Sequence, residues 1–140
     1  MKKIKLPIFQ LLGLEEELNG TIEIVPNKKS YKGFLNHKLP LFLKFNLMDL
    51  SEELKKIKNK VTIIRNVLIE KYGTIDENTG DISLLVSEDN NNFKLFEEEF
   101  NLFITQEIEI NYYEITIEDL KKCEDTTDNY ETLFLLIKKP

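Results

Sequence analysis

The sequence predicts an α+β fold: a long amphipathic helix packed against a shorter antiparallel helix, with a small β-sheet. Three observations carry this. Apolar residues recur at alternating steps of three and four over residues 47–68, and phenylalanines do the same over residues 93–104. Glu107-Ile108-Glu109-Ile110 alternates as a strand does.

At 140 residues the chain has room for one domain and one core. It divides into an N-terminal helix, strand and loop portion (1–38), a long helix (39–73) and an acidic α+β half (74–140). Sixteen isoleucines and nine phenylalanines supply ample apolar side chain. Alanine and tryptophan are missing and Arg65 is the one arginine, a bias expected of an AT-rich coding sequence.

Lys2 to Leu6 reads as a short strand. Pro7 then suits the first turn of a helix, where its missing N–H costs nothing. Ile8, Leu11, Leu12, Leu14 and Leu18 fall near one face, so residues 8–18 read as helix, ended by Asn19-Gly20. Residues 21–25 read as a short strand and 26–33 as a loop.

The strongest signal follows. Leu47, Leu50, Leu54, Ile57, Val61, Ile64 and Leu68 are spaced 3, 4, 3, 4, 3, 4, a heptad seam. Neither glycine nor proline interrupts residues 41–72, and Gly73 supplies the stop. The helix starts at Pro40, or restarts near Ser51, where Asp49 and Ser51 offer capping groups. Phe42, Leu43 and Phe45 spread apolar surface around the girth, which predicts deeper burial at this end.

Polar turn residues occupy 74–81, and residues 82–86 read as a strand. Phe93, Phe96, Phe100 and Phe103 then define an acidic amphipathic helix that also carries Glu97, Glu98 and Glu99. Ile115 and Ile117 alternate out of phase with Ile108 and Ile110, so a bulge or turn is expected near residues 111–114. Ile117 begins a further helical turn. The chain closes on residues 130–138, with Leu133, Phe134, Leu136 and Ile137 expected to be buried.

A helical seam needs a partner. The helix at 93–104 is roughly 18 Å long against roughly 48 Å for residues 41–72. The remaining length is left for the N-terminal helix, the C-terminal segment or a second copy of the chain.

Residues 1–72 hold 14 basic and 8 acidic side chains, a balance of +6; residues 73–140 hold 5 and 17, a balance of −12. Net acidity argues against non-specific nucleic-acid binding. Oppositely charged halves are expected to fold against each other or to stack in an oligomer.

Little in the chain suggests chemistry. Cys123 alone cannot form an intramolecular disulfide, and a cysteine-based zinc site is not expected. His37 has no catalytic signature around it and reads as a turn histidine before Pro40. The run from Asp76 to Asp81 resembles a calcium loop, but Gly80 falls at the fifth position and Ser87 at the twelfth. Glu97, Glu98 and Glu99 read as a solvated acidic face. No cofactor, metal or enzymatic activity is expected. No leader and no run of roughly 18 apolar residues is seen, so no membrane partner is expected and the cytoplasm is the expected compartment.

The combination of Leu39-Pro40-Leu41, the helix ending Arg65-Asn66-Val67-Leu68-Ile69-Glu70-Lys71-Tyr72-Gly73, the acidic turn Asp76-Glu77-Asn78-Thr79-Gly80, Phe100-Asn101, the strand Glu107-Ile108-Glu109-Ile110 and Ile117-Glu118-Asp119-Leu120 resembles a known group. It is similar to small uncharacterised proteins of tailed phages and prophages in Gram-positive bacteria. The resemblance covers residues 39–120, and the stretch 21–33 departs from it as an insertion. It implies a non-enzymatic protein-interaction domain, an accessory or assembly factor for the virion acting in the bacterial host cell, with phage structural proteins as partners. The alternative is a host-directed inhibitor of a bacterial nuclease or defence complex, binding a host protein. Candidate interaction residues are the seven of the seam and the Glu97–Glu98–Glu99 triplet.

Overall fold

The computed structural model describes residues 1–21, 31–75, 78–80, 82–83, 91–123 and 130–138. The expectations of strand at 22–25 and 84–86, of loop at 26–30 and of polar turn residues at 76–77 and 81 lie outside these residues. In chain order the elements are β1 (Lys2–Pro7), α1 (Ile8–Asn19), β2 (Gly20–Thr21), β3 (Tyr31–Lys32), α2 (Leu41–Tyr72), β4 (Thr74–Ile75), β5 (Ile82–Ser83), α3 (Asn91–Ile104), β6 (Glu107–Tyr112) and α4 (Ile117–Lys121). Short 3-10 turns lie at Phe34–Asn36 and Leu133–Leu136. The fold is α+β, with one long helix and small two-stranded sheets.

The main ribbon joins the two ends of the charge asymmetry. β1 pairs antiparallel with β6, placing Ile4 opposite Ile110 and Leu6 opposite Ile108. Leu6 and Ile110 enter the core, while Lys3 and Lys5 point outward; Lys3 reaches Glu109 at 3.8 Å. The register runs unbroken to Tyr112, so the phase slip expected near residues 111–114 is taken after the strand, at Tyr113 and Glu114.

Pro7 leads directly into α1, which ends at Gly20. There φ is +83°, and the Gly20 N–H donates to the Glu16 carbonyl. Such a left-handed end favours glycine because no Cβ meets the last carbonyls. β2 and β3 pair immediately afterwards, closing the base of the 21–33 excursion.

α1 lies antiparallel along the middle of α2, with Asn19 beside Ser51, Glu15 beside Lys58 and Ile8 near Ile57 and Val61. Leu11, Leu14 and Leu18 pack with Leu43, Leu47, Leu50 and Leu54 in one core. Each fully buried leucine of this kind contributes roughly 1.5–3 kcal/mol through removal from water. Two polar joins cross the same interface. Asn19 Nδ2 donates to Ser51 Oγ at 2.9 Å, and Lys58 Nζ sits 3.3 Å from the buried carboxylate of Glu15.

α2 does not break at Ser51. That side chain is buried mid-helix and spends its hydroxyl on Asn19 instead of capping a restart. Nor is the start of α2 its deepest part. Leu41, Phe42 and Phe45 are 84%, 86% and 63% exposed, and only Leu43 of that group is buried. Only one side of these first turns faces the core, and Leu43 and Leu47 fill it; Leu41, Phe42 and Phe45 are left in solvent.

α3 packs antiparallel on the later part of α2. Glu99 meets Lys71 and Tyr72, whereas Phe103 lies beside Val61 and Ile64. Phe96 is buried and stacks on Phe100 at 5.8 Å. The two helices thus share the long seam between α1 and α3.

The C-terminal segment returns to the first core. Ile115 N–H donates to the Leu136 carbonyl at 2.9 Å, and Lys138 N–H donates back to Ile115 at 2.8 Å. Tyr130, Leu133 and Leu136 are buried, but Phe134 is exposed, against expectation. A 3-10 turn has three residues per turn, so Leu133 and Leu136 share the inner side and Phe134 cannot. α4 begins with a capping box between Thr116 and Asp119.

Candidate interaction surface

The seven seam residues have unequal positions. Leu47, Leu50, Leu54, Val61 and Leu68 are buried, Ile57 is half-buried, and Ile64 is 36% exposed. Leu47, Leu50, Leu54 and Leu68 are spent on the interior and offer nothing to a partner. Ile57, Val61 and Ile64 line an open groove of about 460 Å3 with Ile8, Ile63, Phe103 and Ile108, and Lys60 belongs to the same lining.

The acidic triplet also divides. Glu97 and Glu98 are exposed. Glu99 accepts from Lys71 Nζ at 2.9 Å and from the Tyr72 hydroxyl at 2.7 Å. Those two bonds hold its carboxyl below the usual glutamate range, and Glu99 in turn raises the Lys71 ammonium. Glu99 therefore fastens α3 to the last turn of α2, while its two neighbours face solvent.

His37 sits at the end of the Phe34–Asn36 turn, ahead of Pro40, and its side chain is buried, with Nε2 3.1 Å from the Tyr130 hydroxyl. Cys123 is half-buried and its thiol donates to the Asp119 carbonyl. Burial first, and Asp119 second, push its pKa up, the opposite of what a nucleophilic thiolate requires. Among the described residues, no group of three or more His, Cys, Asp or Glu is placed to hold a metal ion. None of the described helices is long and apolar enough to cross a membrane.

No known protein family, curated protein or solved structure matches the chain. The functional reading has to come from its own surface.

That surface has one pronounced feature. Leu41, Phe42 and Phe45 stand in solvent on the first turns of α2, around an open depression of about 310 Å3. Met48 continues the line one turn on, and Ile63 and Val67 are exposed near the other end of the same helix. Large apolar side chains concentrated on one element mark contact sites more often than singly scattered ones do. The signal was present in the sequence as the spacing 41, 45, 48, but the continuous seam beside it obscured that second face.

Proposed function

We propose that this protein is a non-enzymatic protein-interaction domain encoded by a phage, serving as an accessory or assembly factor for the virion. The exposed start of α2 carries the reading. Leu41, Phe42 and Phe45 crowd the solvent side of a helix whose opposite side is already filled by Leu43, Leu47 and Leu50. Leaving three such side chains in water serves no folding purpose, and covering them by a protein removes that apolar area from solvent. The phage context is supported by the resemblance over residues 39–120.

The test is capture of phage structural proteins by the full chain, with Phe42→Glu/Phe45→Glu as the control. Recovery by the wild type and its loss in the doubly charged variant are expected. Equal recovery by both would remove the surface from the account.

A host-directed inhibitor is the second reading. It is supported by the acidic second half, where Glu97 and Glu98 on α3 and Glu107 and Glu109 on β6 are exposed. Such a face suits a cationic groove on a nuclease. Recovery of a host nuclease from uninfected lysate, weakened by Glu97→Lys/Glu98→Lys, favours it over virion assembly.

A further inference from the structure

α2 carries a second stripe opposite its buried seam. Starting at Leu41, steps of 4, 3, 4, 4, 3, 4 and 4 reach Phe45, Met48, Glu52, Lys56, Asn59, Ile63 and Val67, and every one of these is exposed. At 100° per residue they lie within about 50° of one line along the helix. The stripe is apolar at both ends and charged in the middle.

It is also self-complementary at six of its eight positions; Met48 and Asn59, which fall opposite Lys60 and Asp49, are the exceptions. Turned end to end at the level of Leu54, Leu41 falls opposite Val67, Phe45 opposite Ile63, and Glu52 opposite Lys56. We propose that α2 pairs antiparallel with α2 of a second copy of this chain about a two-fold axis at Leu54, a self-association that rests on the reading of the chain as an interaction domain. Each contact occurs twice by symmetry, as in any isologous dimer. Two apolar clusters form, one at each end, with reciprocal Glu52–Lys56 pairs between them.

Three features select this occupant. A foreign helix would need an apolar match at the two ends, but nothing would require the pattern to read the same from both. A parallel pairing sets Glu52 beside Glu52 and Lys56 beside Lys56, which repel. The antiparallel pairing also brings Glu70 of each copy towards the other's first turn, where no side chain caps α2. The N–H groups there carry the positive end of the helix dipole.

The size of the contact is adequate. The 32 residues of α2 extend about 48 Å, and a strip about 10 Å wide gives on the order of 500 Å2 from each copy. About 1,000 Å2 in all sits at the lower bound for a specific interface, so a dissociation constant on the order of micromolar is expected.

Sedimentation velocity of the full chain over a dilution series tests the pairing. A reversible monomer–dimer equilibrium is expected. Ile63→Glu and Phe45→Glu should each weaken it about tenfold or more with an unchanged thermal melt, since both side chains face solvent in the monomer. Glu52→Lys alone should weaken it severalfold, and adding Lys56→Glu should restore it. In a Cys123→Ser background, mixing Phe45→Cys with Ile63→Cys should give a 45–63 disulfide in preference to 45–45. A monomer at every concentration, a dimer indifferent to Ile63→Glu, or no rescue by the charge swap would overturn the pairing. The broader reading fails separately, if the wild-type chain captures no phage protein or the doubly charged variant captures it equally well, so the two failures are distinguishable.

Discussion

His37 Nε2 and the Tyr130 hydroxyl lie 3.1 Å apart in the core, joining residues 93 positions apart in the chain. Tyr130 also meets Phe34 edge-on at 5.3 Å. This small aromatic cluster seats the C-terminal segment against the turn that precedes α2. Replacing His37 with alanine removes the bond and opens a gap, which should lower stability by about 1–3 kcal/mol. Tyr130→Phe keeps the ring and should cost about 1 kcal/mol. Urea midpoints for both variants check this; unchanged values would show that the contact holds nothing.

Gly33 sits directly against the end of α1. A Cβ there would overlap the backbone of Leu18, Asn19 and Gly20, although φ at Gly33 is an ordinary −65°. The requirement is for space and not for an unusual conformation. Because backbone cannot swing aside as a flexible side chain does, Gly33→Ala should destabilise by at least about 1–3 kcal/mol. Gly13→Ala, which meets nothing within 4 Å, should stabilise α1 by up to about 1 kcal/mol. Thermal melts of the pair give a direct comparison with opposite expected signs.

The legibility of this fold follows from how local each signal is. Leu47 to Leu68 could be read because helical period alone dictates it, and β6 because Ile108 and Ile110 alternate. Ser51 could not: whether its hydroxyl caps a restart or bonds within a continuous helix depends on Asn19, 32 residues away. His37 depended on Tyr130 in the same way. Phe42 and Phe45 were misplaced for a different reason. Apolar residues around the whole circumference look like depth, but here they are two faces, one packed in the core and one left open. The second face alternates apolar and charged blocks, so a search for uninterrupted hydrophobic spacing passes over it.

Acid titration should separate two glutamates of opposite behaviour. Glu17 accepts the Thr132 N–H at 3.0 Å, while its Oε2 is shut from solvent without a hydrogen-bond partner among the described residues. Burial outweighs the nearby amides of Thr132, Leu133 and Glu131 and raises its pKa above the ordinary 4.5. A raised carboxyl favours the fold when protonated. Its contribution is fully present below 4.5 and is lost as pH climbs through the folded value. Glu99 is lowered, so its contribution is present above 4.5 and fades as pH drops through the folded value. Glu17→Gln should therefore gain stability relative to the wild type as pH rises above 4.5, and Glu99→Gln should lose it as pH rises towards 4.5 from below. Denaturation midpoints on both sides of 4.5 give the two slopes; slopes of the same sign would contradict the assignment.

The seam predicts a graded response along one helix. Leu54 is 1% exposed at the centre of the α1–α2 interface, so Leu54→Ala deletes buried carbon and leaves a cavity, at about 2–5 kcal/mol. Ile64 occupies the same heptad pattern but lines an open groove, where solvent or Phe103 can close over a smaller side chain. Ile64→Ala should cost less than about 1 kcal/mol. Ile57 stands between them, half-buried against the core, and Ile57→Asp places a charge there with no partner along the seam, which should unfold the chain or lower its melting temperature sharply. Comparable losses at Leu54 and Ile64 would mean that α3 closes over the later seam as tightly as α1 closes over the earlier one, and that the groove between Ile63 and Phe103 is not open in solution.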